Sequence, residues 1–147
     1  MNYPDLTQRP PRSPRVRLGG FVILPRMIDK GRAQLAGRIG ECHYNCPLDQ
    51  RFTGFVKLNA DAFLEQIKAG KGDCELLHWV QENSGYKPSE WEIAQWSAFA
   101  ESRVPGDVET KEYFNKTLAS FSKTREDIWT WFDLLDLDDH VTFGGKA

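Results

Sequence analysis

Six basic residues lie close together near the start of the chain, and their chemistry is that of an anion site. They are Arg12, Arg15, Arg17, Arg26, Lys30 and Arg32. Guanidinium groups bind carboxylates and phosphates through paired hydrogen bonds, and a helix N-terminus beside them would add free N–H groups. We therefore take Arg15, Arg26 and Lys30 as candidate anion-binding residues. The favoured interpretation is nevertheless structural: Asp29 lies three residues from both Arg26 and Arg32, and such neighbours pair on a solvated helix face.

A second candidate is the segment ECHYNCP, in which Cys42, His43 and Cys46 could supply two or three zinc ligands. Structural zinc requires four ligands, and the remaining cysteine and histidines have no matching pair spacing. Free, partly buried thiols are therefore the favoured interpretation, and zinc is a weak alternative. The segment does not define a nucleophile either, because nothing identifies which cysteine would be a thiolate. We expect no metal and no cofactor, and we assign no catalytic residue.

Two further patterns fall short of known motifs. The pair Gly19 and Gly20 is followed by neither of the glycine patterns that bind phosphate. The acidic run from Asp133 to Asp139 lacks the alternating spacing and the closing glutamate of a calcium loop. The five tryptophans are more typical of a core than of a base-stacking surface, and the net charge of −2 disfavours nucleic acid as a partner.

The elements that must position these residues are mostly helices. Ser13, Pro14 and the two glycines predict one short helical turn. FVIL has the β-propensity of a strand but is short and has no obvious partner strand. Pro25 suits the first turn of a helix over 25–39. Leu24, Ile28, Gly31 and Leu35 form its inward stripe, with Gly31 close to another backbone.

Cap residues and the spacing of apolar residues predict further helices. Asn59, Asp73, Thr124 and the pair Ser89/Glu92 are the predicted N-terminal caps. Phe99 is predicted to face inward together with Trp96 and Ala100. The pattern predicts a mainly α protein, a compact helical array of six or seven helices.

Length and charge define the organisation. At 147 residues the chain suits a single domain over 1–147, with a Pro/Arg-rich arm at 1–17 and a flexible tail at 141–147. Residues 1–57 carry ten Lys/Arg and four Asp/Glu (+6), whereas residues 58–147 carry nine and seventeen (−8). We expect the basic arm to dock on the acidic remainder of its own chain. Three cysteines, no membrane span and no signal peptide indicate a cytoplasmic protein.

The block SPRVRLGGFVILPRMIDKGRA, followed by YNCPLDQRF and ELLHWVQENSG, resembles a bacterial family of small proteins known only as a domain of unknown function. The resemblance covers roughly residues 6 to 105, and LPRMIDK is its most specific part. It implies a compact domain in a bacterial cytoplasm and no particular chemistry.

Together these observations predict a small helical binding or interaction module without assigned catalysis. Its partner would be an unknown protein, and a homo-oligomer stays open. The alternative is an enzyme or sensor that recognises a small anionic ligand through the Arg/Lys cluster at the start of the 25–39 helix. An exposed apolar patch would favour the first function, and a pocket with converging donors would favour the second.

Overall fold

A computed structural model describes residues 3–147, and the mainly α prediction is confirmed. The described residues form seven helices: α1 (Leu24–Leu35), α2 (Pro47–Val56), α3 (Ala60–Lys68), α4 (Asp73–Asn83), α5 (Glu90–Ser102), α6 (Val108–Phe121) and α7 (Trp131–Thr142). The chain divides into two compact units, a first unit up to Ser97 and a second unit from Ala98 to Ala147. Within residues 3–147, no helix combines the length and the apolar character that a membrane crossing requires.

Local hydrogen bonds explain where most helices begin. The Asn59 side chain accepts a hydrogen bond from the Ala62 N–H at 2.9 Å, as predicted for a cap. The Ser89 N–H donates to the Glu92 carboxylate at 2.6 Å, which confirms the predicted capping box at α5.

Two predicted caps are wrong. Asp73 is the first residue of α4, and Gly72 precedes it as the cap. Thr124 caps nothing, because α7 begins later: Thr130 is its cap and accepts a hydrogen bond from the Asp133 N–H at 3.0 Å. The Asp133 carboxylate in turn accepts from the Thr130 N–H, and this reciprocal pair places the start of the helix.

The segment before α1 is a turn and not the predicted helical turn. The Val16 N–H donates to the Ser13 carbonyl at 3.1 Å, and the following residues form one isolated bridge between Leu18 and Phe21. Gly19 and Gly20 both have positive φ, which glycine adopts at low cost. Helix α2 was not predicted, although Pro47 stands in its first turn as proline does at many helix starts.

The first unit packs around α1, which contacts α2 and α3, while α3 contacts α4. Leu24 and Ile28 are fully buried as predicted, but Leu35 is 36% exposed because the helix ends there. Gly31 does lie in a close contact. A Cβ added there would be 2.7 Å from Ile67 Cδ1, so the neighbour is a side chain and not the predicted backbone.

The second unit has its own small core. Helices α6 and α7 contact each other, and Phe114, Ile128, Leu134 and Leu137 are buried. Leu118, Phe121, Trp131 and Val141 pack against them. Val141 and Thr142, which begin the predicted tail, belong to α7.

Candidate functional site

The entry to α1 places three charged residues in the interior. Ile23 precedes the helix with φ 74°, a rare conformation for a β-branched residue, and its N–H donates to the Pro14 carbonyl at 2.9 Å. The entire stretch 21–31 is buried, so the side chains of Arg26, Asp29 and Lys30 lie in the interior of the protein. The predicted solvated face for these residues is therefore wrong. Buried charges must be paired, and their partners follow.

Arg12 of the N-terminal arm is the partner of Asp29. Its Nε and Nη2 donate to the two Asp29 carboxylate oxygens at 3.0 and 2.9 Å, and its backbone N–H donates at 2.9 Å. The remaining Nη1 donates to Asp73 at 2.7 Å, and Arg32 Nη1 lies 2.9 Å from the other Asp73 oxygen. We call these four residues the arginine–aspartate network.

The network changes the protonation equilibria of its members. Partial burial raises the pKa of Asp73, but the hydrogen bond from Arg12 and the charges of Arg12 and Arg32 outweigh it, and the net pKa is lowered. Desolvation lowers the pKa of Arg12, yet the bonds to Asp29 and Asp73 raise it overall. Both ions are therefore held in their charged forms at neutral pH.

The three predicted anion-binding residues occupy different environments. The Arg26 side chain is buried, and its Nη1 donates to the Arg12 carbonyl at 3.1 Å. Lys30 Nζ lies 2.8 Å from Asp49 Oδ1. Arg15 is half-buried, and its backbone N–H donates to Ser13 Oγ at 3.2 Å. Their use as a shared anion site stays a prediction.

A second buried ion pair lies deeper in α1. Besides Asp49, Lys30 Nζ donates to Cys46 Sγ at 3.1 Å, and we call these three residues the Lys30–Asp49–Cys46 cluster. Burial raises the pKa of Asp49, against the charge of Lys30 and the nearby N–H groups of Asn45 and Cys46. Asp49 was missed by the sequence analysis, although an acid two residues after a helix-starting Pro47 is a usable signal.

The candidate zinc segment lies between α1 and α2. Cys42 and Cys46 are half-buried free thiols, and His43 is exposed. In the described part of the chain, no three His, Cys, Asp or Glu side chains are grouped so as to hold a metal ion. Of the three residues, Cys46 has a described contact with a charged neighbour, Lys30.

The second unit exposes large apolar side chains. Phe99, Val104, Val108, Tyr113 and Trp129 are each more than half exposed, and we call them the exposed apolar set. The predicted inward position of Phe99 is wrong, since 62% of it is exposed. The spacing of apolar residues did not predict the exposure of Phe99. α5 carries apolar residues on more than one side, and spacing does not indicate which side is buried.

Trp129 is held firmly despite its exposure. Its indole Nε1 donates to the Glu126 carbonyl at 2.9 Å, and its backbone N–H donates to the Asp133 carboxylate at 3.1 Å. Nearby, the Trp131 N–H donates to the Arg103 carbonyl at 3.0 Å. This bond places the chain around Val104 beside the chain around Trp129.

Each unit also has a concave region. In the first unit, a cavity of about 150 Å³ has a mainly apolar lining that includes Phe21, Val56, Val80 and Ile93. In the second unit, an open depression runs along Pro105–Val108 and the first turns of α6. Neither lining contains Arg15, Arg26 or Lys30.

Comparison with known protein families identifies the chain. No curated protein resembles the chain closely enough to count as a relative. The model of a domain of unknown function, DUF5069, matches residues 8–141 and so extends past residue 105 into α7. A match over most of the chain establishes membership, and no catalytic or specific function comes with it. The protein belongs to the DUF5069 family of domains of unknown function.

Proposed function

We propose that the protein is a protein-binding module and that it docks its partner on the exposed apolar set of the second unit. One observation carries the proposal: five large apolar side chains are more than half exposed within a unit of fifty residues. Single exposed apolar residues are normal on a protein surface, whereas a contiguous group marks an interaction site. The Trp131–Arg103 hydrogen bond brings the chain near Val104 beside the chain near Trp129, which favours such a group. Trp and Tyr, both present here, are enriched at the centres of interfaces.

The fixed indole of Trp129 supports the same function. Binding normally costs free energy to immobilise side chains at an interface. The indole Nε1 of Trp129 donates to the Glu126 carbonyl and its backbone N–H donates to the Asp133 carboxylate, so both the side chain and its backbone are constrained before binding. An exposed and pre-ordered tryptophan is suited to act as the anchor of a docking surface.

Charge indicates the chemistry of the partner. Residues 98–147 carry ten Asp/Glu and six Lys/Arg, a balance of −4. Acidic residues stand beside the exposed apolar ones in the sequence: Asp107 and Glu109 flank Val108, and Glu112 precedes Tyr113. We therefore propose an amphipathic segment of another protein, with Lys or Arg beside its apolar face. A second copy of this chain would bring like charges together.

The test uses the full chain and a defined probe, an amphipathic helical peptide of leucine and lysine. Its control is the same peptide with glutamate in place of lysine. We expect the lysine peptide to shift the NMR resonances of the Trp129 indole N–H and the Tyr113 amide. Trp129→Ser should weaken binding at least about tenfold, the size of an interface hot spot. Trp91→Ser, which removes a tryptophan of similar exposure (62% against 67%) from the first unit, should not.

Three results would contradict the proposal. The peptide could leave both resonances unmoved, or Trp91→Ser could weaken binding as much as Trp129→Ser. Sedimentation could also show a dimer that Trp129→Ser dissociates, in which case the occupant is a second copy of the chain.

A further inference from the structure

The Lys30–Asp49–Cys46 cluster joins a nucleophilic amine to a sulfur. Lys30 Nζ lies 3.1 Å from Cys46 Sγ, close to van der Waals contact, and 2.8 Å from the Asp49 carboxylate. Lys30 is 3% exposed and Asp49 is fully buried, whereas Cys46 is half-buried. Cys46 is thus the member of the cluster that is partly exposed to solvent.

The surroundings of the sulfur are those of thiols that react with oxidants. Cys46 is the N-cap residue of α2, a helix of ten residues, and so stands at the end of the helix that carries partial positive charge. The Lys30 ammonium donates to it from the opposite helix. A neighbouring lysine, a helix N-terminus and partial exposure are features of reactive cysteines, and here Asp49 shares the charge of that lysine.

Asp49 is the base beside the Lys30 amine. It is fully buried, and its Oδ1 lies 2.8 Å from Lys30 Nζ, within reach of a proton on that nitrogen. Burial raises the pKa of Asp49 and so favours its neutral form once the lysine charge is removed. A proton can therefore move from Nζ to the carboxylate when Nζ changes its chemistry.

We propose that Cys46 is a peroxide-oxidation site at which the oxidised sulfur bonds to Lys30 Nζ. Cys46 Sγ first attacks a peroxide oxygen; the O–O bond breaks, an S–O bond forms, and one water leaves when the oxidant is hydrogen peroxide. Asp49 then takes a proton from the Lys30 ammonium. The Nζ lone pair attacks Sγ, the S–O bond breaks, and the hydroxyl leaves as a second water with a proton from Nζ.

The product is a sulfur–nitrogen link between α1 and the start of α2. Sulfur is oxidised by two electrons, and the peroxide is reduced to water. An external thiol reverses the link by attacking sulfur and returning the amine. Cys74 provides the comparison within the chain, because it also lies in the first turn of a helix but is exposed.

The experiment treats the folded full chain with hydrogen peroxide and identifies the products by peptide mass spectrometry. We expect a peptide pair joined through Lys30 and Cys46, lighter by two hydrogen atoms than the sum of the two peptides. Dithiothreitol should remove the link. Cys46→Ser should abolish it, whereas Cys74→Ser should leave it unchanged.

Two controls separate the proposal from general thiol oxidation. Protein unfolded in urea should not form the link, because the 3.1 Å contact is lost on unfolding. Lys30→Arg keeps the positive charge but removes the amine, so Cys46 should instead continue to sulfinic acid; circular dichroism checks that this variant folds. The proposal is overturned if folded wild-type protein gives Cys46 sulfenic acid, trapped by dimedone, without the link. It is equally overturned if Lys30 is found joined to Cys42 or Cys74.

Discussion

Asp73 connects two arginines, one from the N-terminal arm and one from α1. Arg12 and Arg32 contact its two carboxylate oxygens at 2.7 and 2.9 Å. Exposed ion pairs contribute little to stability, but this one is partly buried and shared by two guanidinium groups. Its net pKa is lowered, so the folded state holds the ionised carboxylate more strongly than the unfolded chain does.

The sign of the pH dependence follows from that lowered pKa. Stabilisation by Asp73 is fully present above its unfolded pKa, near 3.8, and is lost as pH falls through the lower folded value. We expect Asp73→Asn to cost about 1 to 2 kcal/mol at pH 7 and to reduce the loss of stability between pH 7 and pH 2. Urea unfolding at both pH values measures this. Glu112→Gln, at an exposed carboxylate, is the control; an identical decline in wild type and Asp73→Asn would contradict the assignment.

Helix α1 is the element on which the first unit is built. One turn of it carries Met27, Ile28 and Asp29 into the interior, while its last residue, Leu35, reaches the surface. Its start depends on tertiary contacts, since Ile23 is held at φ 74° with its N–H on Pro14. Such a backbone conformation costs of order 1–3 kcal/mol and persists only where packing supports it.

Two substitutions on α1 test where its buried face ends. We expect Ile28→Ala to lower the free energy of unfolding by about 2 to 5 kcal/mol, because it removes fully buried methyl groups and leaves a cavity. Leu35→Ala, at the exposed end of the same helix, should change it by about 0.5 kcal/mol or less. Urea denaturation measures both. Similar losses for the two variants would mean that the helix buries a different face.

The N-terminal arm carries part of the basic charge of the chain and pairs with carboxylates elsewhere in it. The first 57 residues carry +6 and the rest −8, and Arg12 with Asp73 joins one half to the other. Apolar contact fixes the arm as well, since Leu6 is buried and its N–H donates to the Arg38 carbonyl at 2.9 Å. The described part of the arm is thus a docked segment of the first unit. Of the two carboxylates that Arg12 binds, Asp73 lies in the acidic part of the chain, as expected, and Asp29 lies in the basic part.

Deleting residues 1–17 should therefore destabilise the protein. Loss of the buried Leu6 and of the Arg12 bonds should lower the free energy of unfolding by about 2 to 4 kcal/mol. Chemical denaturation of the truncated and full chains measures the difference, and backbone NMR relaxation should find residues 5–17 as rigid as α1. Unchanged unfolding together with a freely moving arm would make the arm a cationic tail available to an anionic partner.

The amino-acid sequence by itself predicted those features of this protein that depend on residues close together in the chain. The caps at Asn59 and at Ser89 with Glu92 and the helical class all depend on residues within four positions of each other. Such interactions are specified by spacing alone. The family resemblance had the same origin, because it rests on contiguous motifs.

Only the tertiary structure decided which charges meet and which apolar residues are exposed. Arg12 meets Asp73 across 61 positions, and Lys30 meets Cys46 across 16, so no local pattern indicates either contact. Phe99 and Leu35 fit a helical stripe but lie at the surface, because burial depends on what packs against each side of a helix. Spacing predicts which side chains share a face, and packing decides which face becomes core.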